Sequence, residues 1–243
     1  MPFGKNPELS IVIPLKDERD NVRPLLEELR TVLDQIGRDA EIIVVDDGST
    51  DGTWDVLTEL RGHIAGLRRV RFAQNRGQSA AFWAGLTRAR APIAIMMDGD
   101  MQNDPRDIPN LLAEPDKGAD VCLTWRATRQ DTWPKKVQSR IGNRFRNYLL
   151  SSDIRDTGSQ LRAFKTACLR DFTPFNGMHR FMGNLFAMRG CKIVQVPANH
   201  RGRRAGKTKY GLGNRIWRGL YDLIGVRWLA KRCVRYSVRE EDE

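Results

Sequence analysis

Several residue types and patterns on which common functions depend are scarce in this sequence or missing from it. There are only three histidines, and His63, His179 and His200 are widely dispersed, which argues against a histidine-built metal centre. The four cysteines, Cys122, Cys168, Cys191 and Cys233, stand far apart with no Cys-x-x-Cys spacing, so neither a disulfide framework nor a zinc site is implied. They read as buried thiols of a reducing compartment. No uninterrupted run of about 18 apolar residues occurs, so no bilayer-spanning helix is expected. Residues 1–14 lack a charged stretch followed by a long apolar one, so no cleavable leader is expected either. The glycine–lysine phosphate loop of the Walker pattern is missing. So are the signatures of helix-turn-helix, zinc-finger and RNA-binding modules, and no nucleic-acid partner is expected.

What is present is charge, unevenly spread. The 243 residues carry a net +11, enough chain for one domain or one domain with an appendage. Residues 1–120 hold 15 basic against 21 acidic residues, a net of −6, whereas residues 121–243 hold 26 against 9, a net of +17. A basic half of that size suits phosphates or an anionic surface.

The first half alternates apolar, β-branched runs with helical periodicity. Residues 9–14, 41–46, 70–72 and 93–97 read as strands; residues 22–36, 51–60 and 79–90 read as helices, the first ending at Gly37. Such alternation predicts an α/β fold with a mostly parallel sheet flanked by helices, which binds ligands at the carboxyl ends of its strands. Three acidic segments fall at that rim: Pro14-Leu15-Lys16-Asp17-Glu18, Asp46-Asp47-Gly48-Ser49-Thr50-Asp51-Gly52-Thr53, and Asp98-Gly99-Asp100.

The last of these carries the most chemistry. Asp98 and Asp100 are two residues apart after a buried strand, so on an extended segment both carboxylates point the same way. Converging carboxylates repel unless a cation lies between them, and hard divalent ions take oxygen ligands. Gln102 is two residues further on, and continued extension would place its side chain on the same side. Taken alone, such a pair is more often a polar turn after a strand, and the rest of the chain overturns that. The acidic loop at 46–53 is a poor phosphate cradle but a good acceptor for a base N–H or sugar hydroxyls.

The order Ile-Pro-x-x-x-Glu, Val-Asp-Asp-Gly-Ser-x-Asp-Gly-Thr, Asn75-Arg76-Gly77 and Asp98-Gly99-Asp100-Met101-Gln102 resembles family 2 of the glycosyltransferases, which have the nucleotide-sugar-binding GT-A fold. The likeness runs from residue 9 to about 215. It is nearest to the dolichyl- and polyprenyl-phosphate sugar transferases, through Asp156-Thr157-Gly158-Ser159-Gln160-Leu161-Arg162 and His200-x-x-Arg203-x-x-Gly206-x-Thr208-Lys209-Tyr210. The resemblance implies that Pro14, Lys16, Glu18, Val45 and Asp47 line the base and ribose pocket. Lys16 departs from the aromatic residue often found there. Asp98 and Gly99 would adjoin the nucleotide, and Asp98, Asp100 and Gln102 would hold Mg²⁺ or Mn²⁺ against the donor diphosphate. Arg203, Thr208 and Lys209 would close over that diphosphate, with nearby glycines such as Gly202 and Gly206 permitting the movement. Arg126, after residues 121–125, would touch the acceptor phosphate or the sugar.

The implied reaction is inverting transfer from a nucleotide-sugar donor, GDP-mannose or a UDP-hexose, to a polyprenyl phosphate. An anionic phosphate needs no general base, whereas a hydroxyl acceptor would bring Asp156 forward as one. Asp156 is equally read as capping the following turn. The Gln-x-x-Arg-Trp motif of processive polysaccharide synthases is missing. Two other classes stay open: a nucleotidyltransferase, although residues 11–21 lack glycine, and a non-catalytic basic membrane adaptor, which leaves Asp98, Asp100 and Gln102 unexplained.

The expected organisation is a catalytic domain over 1–212 and a basic amphipathic segment over 213–243. In the latter, Ile216, Trp217, Leu220, Tyr221, Ile224, Trp228 and Leu229 recur near helical spacing among arginines and lysines. Residues 135–150 repeat the pattern with Val137, Ile141, Phe145, Tyr148 and Leu149. Each helix either packs on the domain or lies in a membrane interface. The expectation is a cytoplasmic protein in peripheral contact with the membrane.

Overall fold

Unbroken burial along the central strands shows how this sequence makes two layers of core around one sheet. In the computed structural model, which describes residues 6–127, 133–170, 172–202 and 212–232 (backbone only for 133–141 and 212–218), seven strands form one sheet. They are β1 (Leu9–Leu15), β2 (Ala40–Asp46), β3 (Leu67–Arg71), β4 (Ile93–Met96), β5 (Val121–Arg126), β6 (Arg162–Lys165) and β7 (Ile193–Ala198). The helices are α1 (Arg19–Ile36), α2 (Thr53–Leu60), α3 (Gln78–Leu86), α4 (Ile108–Asp116), α5 (Trp133–Leu150), α6 (Met182–Met188) and α7 (Leu212–Arg232).

Successive side chains of a strand point to opposite faces. Ile11 and Ile13 of β1, Ile42 and Val44 of β2 and Ile95 of β4 join one core with α1, α2 and α4. Val12, Ile43, Val45, Ala94 and Met96 join the other with α3, α6 and α7. Both faces are covered, as the unbroken apolar runs of β1 and β2 require.

The strand order is β3-β2-β1-β4-β6-β5-β7, and every strand runs the same way except β6, which pairs antiparallel with both β4 and β5. The carboxyl ends of the six parallel strands therefore share one rim, together with the amino end of β6. Pairing of β1 with β4 runs only from Leu9 to Val12, and beyond it the segment after β4 packs on Ile13–Leu15 at that rim. This is the place where open α/β sheets bind ligands.

The expected strands and helices are present with shifted ends. The third strand is Leu67–Arg71, the third helix stops at Leu86, and β4 ends at Met96. Helix α7 docks through Leu223 and Val226 on the second core. No helix of the described residues is long and apolar enough to cross a membrane.

Candidate active site

The first two rim loops are cross-braced. The Lys16 ammonium donates to the Gly48 carbonyl at 2.9 Å and pairs with Asp17 at 2.9 Å. The Asp17 N–H donates to Ser49 Oγ, and Asp17 Oδ1 accepts from the Thr50 N–H, both at 2.9 Å. The Glu18 N–H donates to Thr53 Oγ1 at 3.0 Å, and the Glu18 carboxylate accepts from Asn21 Nδ2 at 2.6 Å. Gly48 has φ +69°, and a Cβ there would lie 2.8 Å from the Gln74 carbonyl carbon, so this loop and the one after β3 touch backbone to backbone.

Asp47 uses both carboxylate oxygens on this scaffold, accepting from the Arg76 N–H at 2.6 Å and the Gly77 N–H at 2.9 Å. It thereby pins Asn75-Arg76-Gly77 to the acidic loop. Val45 is fully buried in the second core, and Pro14 is buried in β1. Of the residues expected to line a base and ribose pocket, Lys16 and Glu18 are the ones whose side chains stand half-exposed at the rim.

The segment after β4 is a turn, contrary to the continued extension expected from the spacing. Met101 has φ +61° and its side chain is buried in the first core, so the chain bends between Asp100 and Gln102. The Gln102 N–H donates to Asp100 Oδ1 at 3.1 Å, which stabilises the turn. Gly99 lies flush on the end of β1: a Cβ there would fall 2.1 Å from Leu15 Cδ2 and 3.0 Å from the Pro14 carbonyl. Asp98 accepts from Gln78 Nε2 at 2.7 Å, and its N–H donates to Asn103 Oδ1 at 3.0 Å.

Burial, and then the negative charge of Asp100, push the Asp98 carboxyl up to about 7, against the opposing charges of Arg162 and Arg126 and the Gln78 hydrogen bond. A carboxyl raised by burial and by a neighbouring carboxylate belongs to a hard-oxygen donor set suited to a divalent cation. Among the described residues no group of three or more His, Cys, Asp or Glu side chains could hold a metal ion. A cation here would therefore draw on Asp98, Asp100, an amide oxygen such as that of Gln102, and oxygens of a bound ligand.

Across the rim, β5 and β6 bring up positive charge. Arg126 donates from Nε to Asp156 Oδ2 at 2.7 Å and from Nη2 to Oδ1 at 3.0 Å, a bidentate pair. The Gly158 N–H donates to Asp156 Oδ1 at 2.9 Å, so Asp156 also caps its turn. Arg162, opposite Met96 in the sheet register, is buried and donates to the carbonyls of Ser159 and His179. Burial lowers it to about 10, while Asp98 and Asp156 act to raise it. Arg146 of α5 donates to Thr157 and senses the charges of Asp156 and Arg180. The sequence does not single out Arg146 or Arg162 as site residues, although Arg146 lies in the basic amphipathic segment 135–150 and Arg162 ends the motif that begins at Asp156; only the fold gathers them around Asp156.

Arg203, Thr208 and Lys209 lie outside the described residues, as do the side chains of Val137, Ile141, Ile216 and Trp217. The chain leading toward Arg203 is described. After β7 it lies along the segment that carries Gln102: Asn103 and His200 form an antiparallel bridge, and the Arg201 N–H donates to the Gln102 carbonyl at 3.0 Å.

The model of the family described as Glycosyl transferase family 2 matches residues 10–175. The chain belongs to glycosyl transferase family 2. Among curated family 2 relatives, it is 32% identical over 240 residues to a dodecaprenyl-phosphate galacturonate synthase of Rhizobium johnstonii, covering 96% of this chain and 69% of that protein. It is 34% identical over 221 residues to an undecaprenyl-phosphate 4-deoxy-4-formamido-L-arabinose transferase of Edwardsiella ictaluri, covering 89% of this chain and 66% of the other. The chain thus spans about two thirds of the length of these relatives.

The family 2 chain also shares its fold with solved glycosyltransferases. A glucosyl-3-phosphoglycerate synthase of Mycobacterium tuberculosis, in complex with Mn²⁺, UDP and glucosyl-3-phosphoglycerate, superposes with a TM-score of 0.66 at 19% identity, over 95% of this chain and 82% of the other. A mannosyltransferase of Pyrobaculum calidifontis in complex with GDP-Man and Mn²⁺ gives 0.65 at 20% identity, over 98% and 68%. The architecture expected from the sequence, the GT-A fold, is the one present.

Proposed function

We propose that this glycosyltransferase moves a sugar from a nucleoside-diphosphate sugar to a polyprenyl phosphate, with inversion at the anomeric carbon. The observation that carries this reading is the state of Asp156. Its two carboxylate oxygens are held by Arg126 and by the Gly158 N–H, which suits a fixed counter-charge and not a base that must take up a proton. Around it stand Arg126, Arg146 and Arg162, a setting for an anionic acceptor. A lipid phosphate attacks without deprotonation, so positioning and charge neutralisation suffice. The names of the two curated relatives, both polyprenyl-phosphate sugar enzymes, support the same acceptor class.

Asp98, Asp100 and Gln102 would hold Mg²⁺ or Mn²⁺, which when bound neutralises charge on the diphosphate leaving group. Lys16 and Glu18 at the rim, with the Gly48 loop behind them, would face the base and ribose. Arg203, Thr208 and Lys209 are proposed to complete the diphosphate clamp.

The acceptor's lipid character is matched by α5 and α7. The large exposed hydrophobic side chains among the described residues are Phe145 and Tyr148 on α5, and Tyr221, Ile224 and Trp228 on α7. On α7 the spacing i, i+3, i+7 makes one outer stripe, while Leu223 and Val226 dock the inner side. The inner side fits packing on the domain, and the outer stripe supports the membrane-interface reading. The stripe suits a peripheral seat on the cytoplasmic face of the membrane.

The test is a panel of UDP- and GDP-sugars offered with undecaprenyl phosphate or dolichyl phosphate, with and without Mn²⁺. A glycolipid product from one donor, lost on chelation, is expected. Transfer from none of the donors to either lipid would overturn the reading.

A further inference from the structure

The turn that carries Asp98, Asp100 and Gln102 is conformationally costly, and something must hold it. Met101 is a non-glycine residue at φ +61°, a conformation that persists where the surroundings over-determine it. Part of the hold is the burial of Met101 itself. The rest comes from a distant stretch of sequence, residues 199–201, which leave β7 and lie across the turn.

Four successive attachments define this strap. The Asn199 N–H donates to Asp107 Oδ2 at 2.7 Å, and Asn199 Nδ2 to Asp107 Oδ1 at 3.2 Å. His200 bridges to Asn103, whose side-chain oxygen receives the Asp98 N–H. The Arg201 N–H donates to the Gln102 carbonyl. The Arg201 guanidinium then forks onto Glu28 of α1, at 2.8 and 2.6 Å, while its Nη2 lies 2.5 Å from the buried Asp104 carboxylate. One side chain therefore ties the strap, the turn and the first core's leading helix together. Arg201 lies between the motif residues His200 and Arg203 and is not itself one of the residues matched to the family pattern.

We propose that Arg201 is a positioning residue for the divalent-cation arm, setting the turn geometry of residues 98–104 through Gln102, Asn103 and Asp104 without touching the ligand. The proposal rests on the reading of Asp98, Asp100 and Gln102 as that arm. A bidentate guanidinium between two carboxylates on different elements gives a directional lock that a lysine reproduces only in charge.

The experiment compares the full chain with its R201M and R201K variants, and with R38M as a control. Arg38 makes a similar surface cluster with Glu8 and Asp116, remote in sequence from the arm. Two quantities are read: amide hydrogen exchange of residues 97–104 without metal, and Mn²⁺ affinity from the free-ion EPR signal with UDP or GDP present, against protein-free blanks. In R201M, exchange of that segment is expected to rise at least tenfold and Mn²⁺ affinity to fall about five- to tenfold. R201K should be intermediate on both, and R38M should leave both at wild-type values even if its Tm falls. Unchanged exchange in R201M, or Mn²⁺ affinity within twofold of wild type, overturns the proposal. Failure of the wild type itself to bind Mn²⁺ with either nucleotide would instead overturn the cation-arm reading on which the proposal stands, and with it this one.

Discussion

Arg126 and Asp156 form a bidentate pair across the rim, from the end of β5 to the loop before β6, at 2.7 and 3.0 Å. A carboxylate held in this way is a counter-charge for the arginine. Asp156→Asn keeps the shape and one acceptor oxygen, so transfer to a lipid phosphate is expected to persist within about tenfold of wild type, with an unshifted pH profile. Asp156→Ala removes a partner of a half-buried guanidinium and should also lower Tm. Steady-state rates across pH check the first, and thermal unfolding checks the second. Loss of the alkaline plateau in Asp156→Asn would mark Asp156 as a base.

Gly99 is expected to be intolerant of even one methyl group. Alanine there meets Leu15 and the Pro14 carbonyl at the end of β1, and overpacking of this kind costs about 1–3 kcal/mol. Because Gly99 stands between Asp98 and Asp100, Gly99→Ala should also lower transfer more than tenfold at fixed Mn²⁺. Thermal unfolding and a Mn²⁺ titration of the rate measure the two effects. Wild-type behaviour in both would show that the close approach at Gly99 has no bearing on the arm.

Acid should weaken the strap over the arm in a defined window. Burial acts to raise Asp104, but hydrogen bonds from Arg106 and Arg201 outweigh it and hold its carboxyl down at about 2, below the usual carboxylate range. A carboxyl lowered by folding stabilises the folded state above its unfolded value, and that contribution is lost as pH falls from about 4 toward 2. The stability gap between wild type and Asp104→Asn, from denaturant midpoints, is therefore expected to shrink between pH 5 and pH 2.5. A gap that is constant with pH would show that the Asp104 pairs contribute nothing.

The outer stripe of α7 gives a membrane test that spares the core. Trp228→Ser and Ile224→Ser alter exposed side chains and should leave Tm nearly unchanged. Both are expected to reduce flotation with anionic vesicles at low salt, and Trp228 emission should shift to the blue when the wild type binds. Wild-type flotation in the double variant would place the lipid contact elsewhere, and no vesicle binding by the wild type would overturn the membrane reading.

The alternation of apolar runs and helical periodicity carried the parallel half of the fold, because β1, β2 and β4 are buried on both faces and leave an unbroken hydrophobic signal. Strand β6 left no such signal: Arg-Ala-Phe-Lys is short, and its antiparallel insertion between β4 and β5 is decided by pairing across the sheet. At the site, the spacing of Asp98 and Asp100 was legible as chemistry, but the turn at Met101 was not, since a left-handed methionine has no local cause. Asp47 was legible as a rim carboxylate, and Asp156 as a base for a hydroxyl acceptor or a cap of the following turn. Their binding to Arg76–Gly77 and to Arg126 spans about 30 residues of sequence, a relation that local spacing does not encode.

The most direct measurement is the acceptor preference of the wild-type chain with its best nucleotide sugar and Mn²⁺. Polyprenyl phosphate and the matching polyprenol are offered side by side, and products are read by mass spectrometry. The expected result is one sugar added to the phosphate lipid, nucleoside diphosphate released in equal amount, nothing added to the alcohol, and no product from Asp100→Ala. Sugar added to the alcohol and none to the phosphate would contradict it.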